Sequence, residues 1–510
     1  MSEHRGAMSF AYPDPAFMIH LGDGALSQGR YAEAESWYRQ VLAVAPNDAD
    51  VLNNLGTAVW YSGRIDEAED WYRQAHRLQP ESHSYLNNLG NIQRARGRHA
   101  EAEATYRRSL QIEPNAIESI VNLGVALSDL GRLEESEVLL RDAVSRRPDL
   151  ADAQLNLGTT LTRMGRSEEA IACYETAVQL RPHYAEAHRN RAMYWLSRGD
   201  FTRGWPEYEW RWRCYGKGLP ANDRPLWRGE PLAGRSLLLH AEQGLGDTLQ
   251  FVRYARLVKD LGADVTFVCA APVVRLLQRS PGVDHILKAG SPLPPTDFQS
   301  LLMSMPAVFE TTLESIPAEV PYLSAGPDDV AFWNEMLNSD PTKSGSALKI
   351  GIAWQGNPLY PGDCRRSFPL SIFSTLARVP NVRLIRLQHG HGSEQLAEIS
   401  GQFEVEDPFS RAGRSDWDFL DSAALIRNLD LVITADSSVG HLSGGVGVPV
   451  WVALPYASEW RWLRDRDDSP WYPTMRLFRQ REAEGWDNVF ERIAAEVQGL
   501  VRLRHPADFS

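Results

Sequence analysis

The sequence predicts two structural classes in one chain: an all-α solenoid of helix–turn–helix units, then an α/β region of two halves with a cleft between them. Three observations carry this. Gly29, Gly63, Gly97, Gly131, Gly165 and Gly199 recur every 34 residues, and Pro46, Pro80, Pro114, Pro148 and Pro182 keep the same step. A fixed period of this length marks stacked supersecondary units. After Arg235 the helical period gives way to short apolar runs alternating with helical stretches, the rhythm of a parallel sheet. Three strand-to-helix turns then gather glycines with chemically capable side chains, in "HAEQGLGD", "WQGNPLYPGDCRRSF" and "TADSSVGHLSGG".

Each repeat landmark has its own physical role. The glycine after the first helix lets the chain turn through a positive φ. Gly56, Gly90 and Gly124, inside the first helices, let the second helix approach closely. The proline ends the second helix because it has no N–H to donate. First helices line the concave surface of such a stack. There Asn54, Asn88, Asn122, Asn156 and Asn190 also keep the 34-residue step. Two readings stand for them. Each amide can bond a neighbouring helix and set the stacking, or the row can hold an extended peptide backbone, since an amide both donates and accepts. The unit "NNLGTAVWYSGRIDEAEDWYRQAHRLQP" resembles the tetratricopeptide repeat. The asparagine row resembles the one in the repeats of the O-linked N-acetylglucosamine transferases, which implies a polypeptide groove.

The pattern decays at "GDFTRGWPEYEWRWRCYGKGLP", where Trp205, Tyr208, Trp210 and Trp212 replace small residues. This reads as a cap helix that closes the solenoid and cements it to the α/β region, rather than as an aromatic sugar platform. The expected organisation is a leader (1–14), the solenoid with its cap (15–212), a connector (213–232), a first α/β half (233–345) and a second (346–510).

Composition narrows the function. The 510 residues are 43% hydrophobic and 23% charged, as in soluble globular proteins. A net charge of −13 argues against general nucleic-acid binding, though not against local basic pockets, because phosphate affinity needs concentrated Lys and Arg. No apolar h-region and no run of 18 apolar residues is present, so neither a signal peptide nor a membrane span is expected. Cys173, Cys214, Cys269 and Cys364 are isolated, which points to a reducing cytoplasm.

In the first α/β half, strands are expected at "SLLLH", "ADVTFVCA", "DHILKAG" and within "TDFQSLLMSMPAVF", with helices at "TLQFVRYARLVKDLG" and "PVVRLLQRSPG". Beyond a Ser/Gly/Pro-rich seam, strands are expected at "ALKIGIAW", "VRLIRLQ", "FEVEDP", "LDLVITA", "VPVWVALP" and "MRLFRQ", before an amphipathic closing helix, "WDNVFERIAAEVQGLVRL". Ligands of such sheets bind at the strands' C-terminal ends.

The turns supply the candidate chemistry. In the first, Gly244 and Gly246 free the backbone and Asp247 heads the next helix, either as its N-cap or as a general base. In the second, the strand ends in Trp-Gln-Gly-Asn, and Arg365 and Arg366 come after it. Arginine suits a pyrophosphate through bidentate bonds, with a surface ion pair as the plainer alternative. In the third, Asp436, Ser437 and Ser438 open a helix that contains His441. Unpaired N–H groups and the positive helix end bind phosphate there, and His441 serves either that site or packing. "DRDD" at 465–468 contains the D-x-D spacing of metal sites, but in a polar, Arg-rich loop it reads as solvated charge.

"DSSVGHLSGGVGVPVWVALP" and "QGLGDTLQFVRY" resemble the C-terminal segment and the N-terminal "GD" turn of bacterial heptosyltransferase-like glycosyltransferases. "WRWLRDRDDSPWYPTMRLFRQ" is similar to a block in bacterial proteins that join tetratricopeptide repeats to such a domain. The resemblance implies a GT-B fold of two Rossmann-like halves, with a nucleotide-sugar on the C-terminal half and the acceptor nearer the N-terminal half. It implies that Asp247 is the catalytic aspartate; His240 is a second base candidate, because the O-linked N-acetylglucosamine transferases use a different constellation. It places Asp436, Ser437, Ser438 and His441 on the donor, with Arg366 in the loop where that family often has a basic residue, although the lysine is lacking. Gln355 and Asn357 are added as donor-binding from their place at the end of the strand. The implied reaction is metal-independent, inverting transfer to a Ser or Thr hydroxyl of a protein, with no cofactor and with flagellin a candidate acceptor. Transfer to a glycan or lipid-linked acceptor, and a non-catalytic peptide-binding scaffold with a nucleotide-binding half, are the alternatives.

Overall fold

A computed structural model describes residues 14–214, 224–343, 345–360, 362–413, 417–481 and 484–505. The chain divides into two compact units, Met1–Ala187 and His188–Ser510.

The first unit is a run of helix pairs. First helices span Pro15–Ser27, Ala49–Tyr61, His83–Ala95, Ile117–Asp129 and Ala151–Arg163; second helices span Tyr31–Val44, Ile65–Leu78, His99–Ile112, Leu133–Arg146 and Ser167–Leu180. The glycines of the 34-residue step that come after these first helices have φ between 72° and 85°, where a Cβ would be strained. The arginine after the glycine has a repeated task. Arg64, Arg98, Arg132 and Arg166 each bond the glutamate three residues on and another 29 residues back, so Arg98 holds both Glu101 and Glu69. Ion pairs thus tie each repeat to its predecessor.

The glycine within the first helix is a packing site. Gly22, Gly56, Gly90 and Gly158 face the rings of Tyr38, Tyr72, Tyr106 and Tyr174, and Gly124 faces Leu140. A Cβ on Gly90 would lie 2.5 Å from Tyr106 Cε1, and the ring is fully buried. Gly90→Ala is therefore expected to destabilise the repeats by about 1–3 kcal/mol, the cost of overpacking a filled core. Thermal unfolding followed by helical circular dichroism checks it, and an unchanged transition would mean the two helices part there freely.

The second unit carries two sheets. Strands β1 (Ser236–His240), β2 (Asp264–Cys269), β3 (His285–Lys288) and β4 (Phe298–Leu301) form a parallel sheet ordered β3-β2-β1-β4. Strands β5 (Leu348–Ala353), β6 (Val382–Arg386), β7 (Leu431–Ala435), β8 (Val450–Leu454), β9 (Asp468–Ser469) and β10 (Tyr472–Arg479) form the other, ordered β6-β5-β7-β8-β10-β9. All its pairs are parallel except β9 with β10. Strand order reverses direction between β1 and β4 in one sheet and between β5 and β7 in the other, the points where such sheets open a crevice.

Several expected elements differ. "FEVEDP" makes one bridge, Ile385 to Glu406, and no strand. The Glu406 carboxylate is drawn inward by Arg383 at 2.7 and 2.9 Å, while Asp407 caps the helix Pro408–Arg411. The stretch "TLQFVRYARLVKDLG" divides into Leu245–Phe251 and Tyr254–Asp260. Arg253 Nε takes the Gln250 carbonyl, at 2.8 Å, that a continuous helix would use. "PVVRLLQRSPG" is helical only over Ala271–Leu277, and the two-residue β9 adds to the expected strands.

The cap helix Phe201–Tyr208 belongs to the second unit. Trp205 is buried there against Phe251, Trp460 and Trp471, with its indole N–H donating to the Thr311 carbonyl at 3.1 Å. A continuous apolar core joins this cap to residues of both sheets, and the closing helix Trp486–Arg504 covers a second core under β5, β7 and β8.

Candidate functional site

Two turns meet in the second unit. The one after β1 runs through Gln243, whose φ of 60° is unusual for a side-chain-bearing residue, to the helix Leu245–Phe251. The one after β7 runs through Asp436 to the helix Ser438–Gly445. A Cβ on Gly246 would lie 2.9 Å from His441 Cδ2, so the absence of a side chain lets these turns touch.

Asp247 does not head its helix. Gly244 is the N-cap, and Asp247, in the third helical position, accepts the Gly244 N–H on Oδ2 at 2.8 Å. Its Oδ1 accepts from Arg461, whose guanidinium also bonds Glu459. Arg461 is buried, and its Nε has no hydrogen-bond partner. Its positive charge also acts on Asp436, without a hydrogen bond to it.

Asp436 is 8% exposed. Burial raises its pKa, as does the Asp247 charge, while Arg366, Trp462 and Arg461 oppose the rise. Such a group contributes full stability below the unfolded carboxyl pKa and loses it as pH rises through the folded value. Asp436→Asn is therefore expected to raise the melting temperature at pH 8 and to lose that gain near pH 4. A gain equal at both pH values would show that Asp436 ionisation costs the fold nothing.

Ser437 is the N-cap of its helix, with Oγ 3.1 Å from Thr434 Oγ1, and Ser438 begins the first turn. His441 is buried, with Nδ1 3.0 Å from the Tyr472 hydroxyl and its ring stacked 5.2 Å from Trp462. Burial first, then Arg461, Arg253 and Arg366, push its pKa well below the ordinary histidine value, so the ring is neutral. Arg366 lies along Gly356, bonds Asp363 at 3.0 Å and stands over Tyr360 at 4.8 Å.

The other candidates separate from this cluster. His240, at the end of β1, is half-buried with Nε2 unpartnered, and burial, with Arg224, lowers its pKa. Gln355 accepts from Gln395 at 3.4 Å and supports the Gly392 loop. Asn357 is exposed and accepts its own turn's Leu359 N–H at 3.0 Å. In "DRDD", Arg466 pairs with Asp468 at 2.6 Å and Asp465 is exposed. Among the described residues no group of three or more His, Cys, Asp or Glu is placed to hold a metal ion.

The asparagine row is half-buried. Asn88 donates to Asn53 Oδ1 at 2.9 Å and Asn122 to Asn87 Oδ1 at 3.0 Å, each one repeat back, and Asn54 donates to Asp23 at 3.1 Å. One amide N–H of each thus serves inter-repeat stacking, the role that sets the stagger between repeats.

Residues 16–81 and 115–183 match one tetratricopeptide repeat family model and 53–117 another. The repeats are tetratricopeptide repeats. Protein FlbA of Caulobacter vibrioides is 27% identical over 330 residues, 60% of this chain and 54% of the relative, so the chain spans about half that protein's length. Among solved structures, YrrB, a tetratricopeptide protein, is 21% identical with a TM-score of 0.28, over 34% of this chain and 90% of that one. PilF of Pseudomonas aeruginosa is 19% identical with a TM-score of 0.34, over 40% and 93%. Among the described residues no helix is long and apolar enough to cross a membrane.

Arg461 and Glu459 are functional candidates that the sequence-predicted site lacks. The signal is present in "SEWRWLRDR": an arginine flanked by tryptophans can lay its guanidinium over an indole face, as Arg461 does over Trp460 at 4.3 Å.

Proposed function

We propose that residues 233–510 form a GT-B glycosyltransferase that moves a sugar from a nucleoside-diphosphate donor to a hydroxyl. We propose further that the acceptor is a Ser or Thr of a polypeptide bound by the tetratricopeptide region. One observation carries the proposal: the turns at the reversal points of the two sheets meet at Gly246 and His441, and Arg461 bonds Asp247 and Glu459 while its charge favours the ionised form of Asp436.

The chemistry builds on these atoms. Asp247 accepts the acceptor hydroxyl's proton as the oxygen bonds the anomeric carbon and the bond from that carbon to the diphosphate breaks. A carboxylate offers about four acceptor directions, so the bonds from Arg461 and Gly244 leave each oxygen one. The electron pair departs with the diphosphate, whose charge is met by the N–H groups opening Ser438–Gly445 and by Arg366. Displacement in one step inverts the anomeric centre. His240, with Nε2 unpartnered and its pKa lowered by burial, is the alternative base. Flagellin is the protein acceptor to test first, and a glycan acceptor is the alternative.

The test is thermal unfolding with UDP, GDP, CDP and the monophosphates, on wild type and Asp436→Ala. Ligand at ten times its Kd adds about 1.4 kcal/mol. A base-selective shift in wild type, lost in the variant, is expected, and no shift with any nucleotide would overturn the proposal. A second reading, a peptide-binding scaffold that holds a nucleotide without turnover, is favoured by the engagement of both Asp247 oxygens. It predicts the shift with no release of nucleotide from UDP-, GDP- or CMP-sugars.

A further inference from the structure

Arg211 is 1% exposed, among the most buried side chains of the second unit, and it comes from the segment just after the cap helix. Its guanidinium grips Glu242 with two bonds, Nε to Oε2 at 3.1 Å and Nη2 to Oε1 at 2.8 Å. It also donates to the Tyr208 carbonyl at 3.2 Å, to Glu209, and to Ser304 Oγ at 2.8 Å. Glu242 receives a further bond from the Met303 N–H at 3.0 Å. The next residue, Gln243, sits at its positive φ and donates through Nε2 to the Tyr208 hydroxyl at 3.1 Å. Gly244 then gives its N–H to Asp247.

We infer that Arg211 and Tyr208 are positioning residues for the turn that presents Asp247. The inference rests on the transferase reading for its catalytic consequence, and on geometry alone for the clamp. Three features support it beyond packing. A buried ion pair is seldom more stabilising than an apolar pair of the same volume, so stability alone does not call for a charge here. The pair grips the residue next to a left-handed Gln243, a backbone state that persists only where its surroundings over-determine it. And Tyr208 and Arg211 anchor two successive residues, Gln243 and Glu242, which fixes the turn's direction as well as its place. A segment that the repeat pattern marks as an end cap thus doubles as the brace of the Asp247 turn. A displacement of about 1 Å at such a group is enough to cost about 100-fold in rate.

The experiment uses the full chain with Arg211→Met, and with Arg211→Met combined with Glu242→Leu, which replaces the pair by apolar groups, the exchange a buried pair tolerates best. Amide hydrogen exchange over residues 241–249 is the first readout, and nucleotide release from UDP-, GDP- and CMP-sugars, with UDP and GDP affinity, the second. In the double variant the turn is expected to exchange at least about 10-fold faster while β1 and β7 keep their protection. Turnover is expected to fall at least about 10-fold with nucleotide affinity within about twofold. Wild-type exchange at the turn in the double variant would overturn the clamp. A loosened turn with undiminished turnover would overturn its service to Asp247 while leaving the transferase reading intact. A wild type that releases no nucleotide from any of these sugars, with the turn loosened in the variant, would sink the transferase reading and leave the clamp standing.

Discussion

Asp247→Asn is expected to slow nucleotide-sugar turnover by about 100- to 10,000-fold, the range carried by a positioned general base. The asparagine keeps an oxygen for the Gly244 N–H, which now donates to Oδ2 at 2.8 Å, so the turn is held. It loses the charge that Arg461 faces and the basicity that takes the proton. The affinity for a nucleoside diphosphate should change by less than about threefold, since the loss lies in the transition state rather than in ground-state binding. Product release measured on wild type, Asp247→Asn and His240→Gln decides between the two bases. A variant of Asp247 that turns over like wild type, beside a His240 variant that does not, would transfer the role to the histidine at the end of β1.

The largest stability effect is expected at Arg461. Its side chain is 8% exposed and its partners Asp247 and Glu459 are 18% and 25% exposed. Arg461→Ala leaves the Asp247 and Glu459 carboxylates without the cation that bonds both, and removes a charge that favours ionised Asp436. Breaking a buried pair by removing one partner costs about 3–5 kcal/mol. Thermal unfolding at pH 7 reads the loss. Glu459→Gln in the same chain should restore part of it by removing one of the stranded charges. An Arg461→Ala protein that melts with wild type would mean that solvent, not the arginine, balances these carboxylates.

Glu459 obeys the logic of Asp436. Burial is the first cause raising its pKa, with Asp436 adding to it and Arg461 opposing. Two carboxyls are thus pushed upward by burial, with Arg461 opposing the rise at both.

Much of the first unit was legible because a repeat writes its physics many times over. The glycine with positive φ, the glycine under the tyrosine ring and the proline after the second helix each recur at one spacing, so each occurrence corroborates the others. The asparagine row was equally visible, yet its orientation was not. Asn88 and Asn122 reach back to Asn53 and Asn87, and which side of an amide faces a neighbour depends on the stagger between repeats. In the second unit the apolar runs at β1, β2, β5, β7 and β8 announced themselves, because strands buried on both faces are apolar throughout. "FEVEDP" misled because a short run with two glutamates fits an edge strand or a loop alike until Arg383 claims Glu406.

The sequence by itself determined the repeat, the change to alternating strands and helices, and the three turns rich in chemistry, since all of these are written in local spacing and composition. Only the tertiary structure decided the company those turns keep. Asp247 and Arg461 lie 214 positions apart and Arg211 and Glu242 lie 31 apart. No local pattern selects such partners, because side-chain pairing at that distance is set by how two sheets and a cap helix pack, not by any period in the chain.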